Sequence, residues 1–299
     1  MTSAGSNGYV LISPVRDEAR YIGETLASVI GQTVRPIRWI IVDDGSSDAT
    51  PQLVLAAAAR HAWISYVRFQ RAGERLPGQG VIAAFNRGVQ ELDGLGYEFI
   101  AKLDCDLRFP PDYFARLMAQ FGNDGQLGIA SGVYLEQREG RWLPVGMPAY
   151  HAAGACKFMR KRCFDEIGGF VLHRGWDTLD EIRAQMHGWK TCHFPELQFF
   201  HLKCEGIGIG WQRTSMMHGE IFYLTGGSPF LFLVKLLNRM FFGRPPILSG
   251  LFMGAGFLGP LLLQKRRLVS GAEARFYNRL LCTRLSGRLA AIFTSRIGS

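Results

Sequence analysis

The order of strands and helices predicted for the first half of the chain constrains the fold more than any other feature. Four short apolar runs indicate strands over Tyr9–Ser13, Arg38–Val42, Ile64–Phe69 and Glu98–Leu103. Segments with helical periodicity separate them, over Glu18–Ile30, Ala49–Arg60 and Val81–Leu92. This alternation predicts an α/β fold with a mostly parallel central sheet. Ligands of such sheets bind beyond the carboxyl ends of the strands.

Composition narrows the classes of protein to consider. The chain has 299 residues, of which 47% are hydrophobic, which suffices for one catalytic domain with an appendage. Its formal net charge of +9 favours anionic partners. The six cysteines form no CxxC pair, so a reducing cytoplasm is expected. No G-x-G-x-x-G follows the first strand, which disfavours a dinucleotide-dependent oxidoreductase.

An acidic pair, Asp104 and Asp106, follows the fourth predicted strand directly. Two carboxylates two residues apart can turn toward one Mg²⁺ or Mn²⁺ ion, which prefers oxygen ligands and leaves positions for phosphate oxygens. Such a cation would neutralise charge on a departing diphosphate. A solvated turn carrying two aspartates is the alternative that the pattern leaves open.

Two further acidic clusters stand at corresponding places along the chain. Asp43 and Asp44 follow the second predicted strand, where a carboxylate can accept a hydrogen bond from a nucleoside; the following Ser47 or Asp48 is expected to cap a helix. In the segment from Gly175 to Gly188, the acids at 177, 180 and 181 share one helical face. Acids in a first helical turn are also what the helix dipole favours.

Several separate motifs occur in the order found in one enzyme family. They are Pro14–Glu18, Ser28–Thr33, Ile41–Asp48, Ala84–Gly88, Ile100–Asp106 and Phe158–Phe170. Across residues 8–205 the chain therefore resembles the family 2 glycosyltransferases, whose catalytic domain has the GT-A fold. The resemblance implies transfer of a sugar from a nucleotide-diphosphate sugar, with inversion, in a single displacement that requires a divalent cation.

The resemblance also implies roles for individual residues. Pro14, Arg16, Asp43 and Asp44 would surround the nucleoside, and Asp104 would contact the ribose and the metal. Asp106 would be the firmer metal ligand, and His201 resembles a C-terminal metal-ligating histidine of some GT-A enzymes. A histidine that merely ends a strand is equally consistent with the sequence at 201.

The family usually has Glu-Asp at the start of its acceptor-side helix, and here the pair is Trp176-Asp177. Asp177 is the candidate general base, with Asp180 or Glu181 as alternatives. The tryptophan leaves open a non-catalytic sugar-nucleotide-binding or assembly protein. The Gln-x-x-Arg-Trp motif of processive members is absent from the sequence, which favours transfer of one sugar to an acceptor such as a glycan, a lipid-linked glycan or a polysaccharide precursor.

The composition changes after Tyr223, so we expect a catalytic domain over 1–223 and a helical region over 224–299. Pro229–Phe242 should form a helix capped by Ser228, with one narrow polar stripe, and residues 247–263 carry no charge. Seventeen uncharged residues fall short of the ~20 needed to span a bilayer, so we expect an interfacial or re-entrant segment.

From Lys265 onward the chain has eight basic residues and one Glu. A peripheral or monotopic protein on the cytoplasmic face of the plasma membrane, attracted to anionic lipid, is therefore expected. The alternative is a buried helical pair that packs on the catalytic domain or forms a homodimer. Aromatic residues do not interleave the basic tail, so no nucleic-acid partner is expected.

Overall fold

The computed structural model describes residues 8–69, 78–203 and 210–297, with side chains described to residue 286. The Gly-, Arg- and Pro-rich sequence Gly73–Gly80, in which we expect a loop, therefore lies mostly outside the described residues. The chain divides into two compact units, 1–205 and 206–299. The first unit ends before the change of composition near Tyr223, because the helix that precedes this change packs within the second unit.

Nine described strands form one sheet in the first unit. They are β1 (Tyr9–Val15), β2 (Arg38–Asp43), β3 (Ile64–Arg68), β4 (Phe99–Leu103), β5 (Leu107–Arg108), β6 (Leu127–Arg138), β7 (Arg141–Pro144), β8 (Cys156–Arg160) and β9 (Lys190–His201). Their order is β3-β2-β1-β4-β8-β6-β9-β5, and β7 pairs with β6.

The sheet is mixed. The four predicted strands form its parallel half, with β1 between β2 and β4. Beyond β4, strand β8 runs antiparallel to both β4 and β6, while β6 and β9 are parallel. The expectation of a mostly parallel sheet thus holds for the N-terminal half and needs correction for the rest. The α/β class itself is confirmed.

Six described helices accompany the sheet. They are α1 (Ile22–Ile30), α2 (Thr50–Arg60), α3 (Gln79–Gln90), α4 (Tyr113–Asn123), α5 (Lys161–Glu166) and α6 (Trp176–Met186). One core cluster holds β1 and β4 side chains that pack with α1 and α4, and the other holds the alternate side chains of these strands with α3 and α5. Successive side chains of a strand point to opposite faces, so the continuous apolar runs of the parallel half make both of its faces apolar.

The second unit is helical, with α7 (Gly210–Leu224), α8 (Pro229–Phe242), α9 (Leu248–Leu262) and α10 (Gly271–Ile297). The predicted cap of α8 is confirmed, since Ser228 Oγ accepts a hydrogen bond from the Leu231 N–H at 3.3 Å. Helices α7 and α9 cross so closely that a Cβ added at Gly219 would collide with the main chain of Met253. A Cβ added at Gly256 would likewise collide with the main chain of Met216. Within the described part of the chain, no helix is both long and apolar enough to cross a membrane.

Candidate active site

Two loops at the carboxyl ends of β1 and β2 are joined by side chain to main chain hydrogen bonds. Asp17 Oδ1 accepts from the Ser47 N–H at 2.7 Å, and Asp48 Oδ2 accepts from the Ala19 N–H at 2.9 Å. Asp48 Oδ1 also accepts from the N–H of Thr50, the first residue of α2, at 2.9 Å, but the N-cap residue is Ala49, so the expected cap at Ser47 or Asp48 was placed too early. Because the loops brace one another, the Pro14–Arg16 segment and the Asp43–Asp44 segment have a fixed relation to each other.

Asp43 is fully buried, and both of its carboxylate oxygens are engaged. Oδ1 accepts from the Ser46 N–H at 2.8 Å and the Ser46 hydroxyl at 2.6 Å, while Oδ2 accepts from the Tyr66 hydroxyl at 2.6 Å. Burial and the Asp43 carboxylate raise the pKa of Tyr66 to about 12. Asp43 therefore shapes the turn that carries the half-buried Asp44.

The two acids after β4 have different partners. Asp104 Oδ1 accepts a hydrogen bond from Lys102 Nζ at 2.5 Å. Asp106 is buried, and its Oδ2 lies 3.4 Å from His201 Nε2 at the end of β9. Asp106 and His201 are thus adjacent as predicted, whereas Asp104 turns toward a lysine.

Acidic residues surround His201. Its Nδ1 lies 3.5 Å from Glu136 Oε1 on β6. Burial opposes a charge on the imidazole, but the hydrogen bond with Asp106 and the charges of Asp106, Asp104 and Glu136 raise the pKa of His201 above its usual value. Nearby, burial raises the pKa of Glu18, although Lys203 Nζ donates to Glu18 Oε1 at 2.7 Å.

The residues fit a divalent cation. Among the described residues no three His, Cys, Asp or Glu side chains form a ready-made metal cluster, and Asp104 is paired with Lys102. However, Asp106 Oδ1, His201 Nδ1 and Glu18 Oε2 are buried without a hydrogen-bond partner in the described part of the chain. Buried polar atoms without partners are costly, and an anionic oxygen is what a hard cation binds. Mg²⁺ and related ions commonly take one or two carboxylates and complete their coordination with phosphate oxygens.

Asp177, the candidate base, is half-buried in the first turn of α6. A Cβ added at Gly154 would lie 3.7 Å from Asp177 Oδ2, so the carboxylate passes close to the main chain of Gly154. The next residue, Ala155, accepts a hydrogen bond from the Asp104 N–H at 2.8 Å. The 154–155 segment therefore lies between the two acids and brings Asp177 near the strand-end cluster.

Asp180 and Glu181 are buried at 2% exposure and bind Lys157, which is fully buried on β8. Burial opposes the charge of Lys157, yet the carboxylates of Asp180 and Glu181 raise its pKa. Burial raises the pKa of Asp180 to about 7. Burial acts the same way on Glu181, but Lys157 and His151 outweigh it and lower the pKa. These two acids thus anchor α6 to β8 through Lys157.

Sequence reasoning missed several residues of this site, namely Glu18, Tyr66, Lys102, Glu136, His151, Lys157 and Lys203. One signal could have found two of them. Lys102 and Lys157 each stand between apolar residues of a strand, and lysine is almost never buried unless it is paired.

Solved structures with a similar fold include a mannosyltransferase and a protein in complex with UDP. The mannosyltransferase PcManGT from Pyrobaculum calidifontis, in complex with GDP-Man and Mn²⁺, matches with a TM-score of 0.57 and 17% identity, over 95% of this chain and 81% of that one. TarS 1–349 of S. aureus, in complex with UDP, matches with a TM-score of 0.52 and 16% identity, over 86% and 72% of the two chains. At these identities the similarity concerns the fold.

The relatives found by sequence also carry glycosyltransferase names. The chain is 31% identical to EpsH of Bacillus subtilis (strain 168), which carries a glycosyltransferase name, over 222 residues, and 26% identical over 226 residues to glycosyltransferase GlyA of Streptococcus pneumoniae serotype 4. These matches cover 71% and 72% of this chain, but the chain spans only 60% of EpsH and 29% of GlyA.

The model of the family described as "Glycosyl transferase family 2" matches residues 10–177, which is more than half of the chain. The matched range includes Asp43, Asp44, Asp104, Asp106 and Asp177. The family match and the fold agree, and the chain is a member of glycosyl transferase family 2.

Proposed function

We propose that this transferase moves one sugar from a nucleotide-diphosphate sugar to a hydroxyl of a glycan, a lipid-linked glycan or a polysaccharide precursor, with inversion and with the help of a divalent cation. The observation that carries the proposal is the 154–155 segment, which touches Asp177 on one side and Asp104 on the other. A donor held at the strand ends would meet a base at that position.

The nucleoside of the donor would lie against Pro14, Arg16 and Asp44, with Asp43 fixing the turn. Support comes from the braced β1 and β2 loops. PcManGT binds GDP-Man and TarS binds UDP, so a nucleotide donor fits this fold. The donors to be tested therefore include both GDP-sugars and UDP-sugars.

Asp106 and His201 would hold Mg²⁺ or Mn²⁺, with Asp104 as a third ligand if it leaves Lys102. When bound, the cation would supply positive charge to the diphosphate leaving group. The unpartnered oxygen of Asp106 and the Mn²⁺ in the PcManGT complex support this assignment.

Asp177 would act as general base. Its carboxylate takes the proton of the acceptor hydroxyl as that oxygen forms a bond to the anomeric carbon. The bond from this carbon to the diphosphate oxygen breaks, and the nucleoside diphosphate leaves with that electron pair. Attack opposite to the leaving group inverts the anomeric centre.

Release of nucleoside diphosphate from a panel of GDP- and UDP-sugars tests this function. Mn²⁺ should support both release and protection of the protein against heating by one donor, and EDTA should remove both. Asp106→Ala should behave as EDTA does, because it removes the buried carboxylate that has an unpartnered oxygen. Full activity in EDTA would exclude the metal-dependent mechanism, and no release or protection with any donor would contradict the proposed function.

We also propose that the second unit holds the enzyme peripherally on the cytoplasmic face of the plasma membrane. Helix α8 exposes Phe230, Leu233, Leu237 and Phe241 along one face, and α9 exposes Leu248, Leu251, Leu258 and Leu262. Phe241 and Leu262 are 74% and 78% exposed, which is unusual for large apolar side chains.

The positive charge around this apolar surface favours an anionic bilayer as its partner. No acidic residue occurs from Pro229 to Ala272, and Arg244, Lys265 and Arg266 are exposed beside the ends of the two helices. Apolar side chains inserted below a layer of cationic ones match a lipid headgroup region. A homodimer through the same faces is the competing occupant.

A further inference from the structure

Two buried lysines face each other across the centre of the sheet. Lys102 on β4 and Lys157 on β8 are direct partners in the antiparallel ladder, and their side chains are 4% and 0% exposed. Like charges directly opposite on neighbouring strands repel, and burial strengthens the repulsion. Other groups must compensate for this arrangement.

Each lysine binds a different part of the candidate site. Lys102 Nζ donates to Asp104 Oδ1 at 2.5 Å and to the Gly154 carbonyl at 2.9 Å. Lys157 Nζ donates to the Asp177 carbonyl at 2.8 Å, in addition to its contacts with the two anchoring acids of α6. One ammonium thus holds the donor-side acid, and the other holds the main chain of the candidate base.

The ring of Trp176 lies against both ammonium groups. Lys102 Nζ is 5.5 Å and Lys157 Nζ is 5.4 Å from the ring centroid, within the range of cation–π attraction. The ring is 8% exposed and packs against Phe170 at 4.7 Å between centroids. An aromatic face attracts cations without forming a hydrogen bond, so it leaves the donors of both lysines free for Asp104 and Asp177.

We infer that Trp176 is a positioning residue, which holds Lys102 and Lys157 together and so fixes Asp177 relative to Asp104. This inference rests on the proposed function. The tryptophan at this position is consequently no sign of lost catalysis. A carboxylate in its place would bind one of the two ammonium groups and compete with Asp104 or with the Asp177 carbonyl.

Trp176→Leu, Trp176→Phe and Phe164→Leu form the matched set that tests the inference. Leucine keeps an apolar side chain but removes the aromatic face, and phenylalanine keeps the face. Phe164 has the same exposure as Trp176, 8%, lies in the same core cluster, and serves as the control for loss of packing. Each variant is measured for kcat, for donor affinity by thermal protection, and for its melting temperature.

Trp176→Leu should lower kcat by about 10- to 100-fold, the scale of a small misplacement of reacting groups, with donor affinity unchanged. Trp176→Phe should recover most of kcat, and Phe164→Leu should lower the melting temperature while keeping kcat. Wild-type kcat in Trp176→Leu, or equal losses in the Leu and Phe variants, would overturn the positioning role. No turnover by the wild-type chain would instead overturn the proposed function.

Discussion

At the scale of single residues, His151 is one group through which pH should act on the stability of the first unit. Its Nδ1 lies 3.0 Å from Glu181 Oε1, and Glu181 also accepts from the Ala152 N–H at 2.9 Å. Burial opposes protonation of the imidazole, but the bond with Glu181 outweighs it and raises the pKa of His151 above its usual value. The protonated imidazole therefore ties the segment before Gly154 to α6.

The sign of the pH effect follows from this raised pKa. The pair contributes its full stabilisation below the unfolded-state pKa of about 6.5 and loses it as pH rises through the folded-state pKa. His151→Gln should reduce the free energy of unfolding by about 1.5 kcal/mol at acidic pH, the scale of one charge-assisted hydrogen bond. Denaturant titrations should show this difference shrinking toward alkaline pH; a difference that is constant with pH, or grows, would contradict the assignment.

Residue types predicted the acids of the site but not their roles. Helical spacing places Asp177, Asp180 and Glu181 on one face, and only the tertiary structure shows that Lys157 lies beneath the last two. The same holds for Asp104 and Asp106, which look equivalent in sequence but meet Lys102 and His201. Local spacing carries no information about a strand that is distant along the chain.

At the scale of elements, α8 was predicted with its bounds and its cap, because Ser228-Pro229 is a strong start signal and the apolar pattern is periodic. Helix α9 was less predictable. It forms one helix although Pro260 lies within its last turn, and Gly256 permits its close crossing with α7. One face of α9 is therefore covered and the other exposed.

The exposed faces of α8 and α9 make the membrane proposal testable at this scale. The full chain should sediment with vesicles that contain phosphatidylglycerol more than with pure phosphatidylcholine, and high salt should weaken this binding without abolishing it, because only the electrostatic part is screened. Phe241→Glu with Phe242→Glu should reduce binding roughly tenfold or more, since each phenylalanine inserted is worth about 2 kcal/mol.

Leu143→Glu is the control for that experiment, because it changes an exposed apolar residue of the first unit, 44% exposed. It should leave vesicle binding unchanged. The membrane proposal would be contradicted if the protein bound neither kind of vesicle and sedimented as a dimer without them. That result would show that a second copy covers these helices.

At the scale of the whole molecule, the α/β class and the parallel half of the sheet could be predicted because each strand is followed by its own helix along the chain. The mixed half beyond β4 could not, since β6 and β9 pair residues as distant in sequence as Glu136 and His201. The family relation was predictable from motif order, and it agrees with the match over residues 10–177.

The most direct test of the account is the turnover number of Asp177→Asn, measured together with its donor affinity. Asparagine keeps the shape of the side chain beside Gly154 but cannot take a proton. The account predicts a kcat lower by about 10²–10⁴-fold, as for loss of a general base, with donor protection and metal dependence retained. Turnover close to that of the wild type, or loss of donor binding together with turnover, would contradict it.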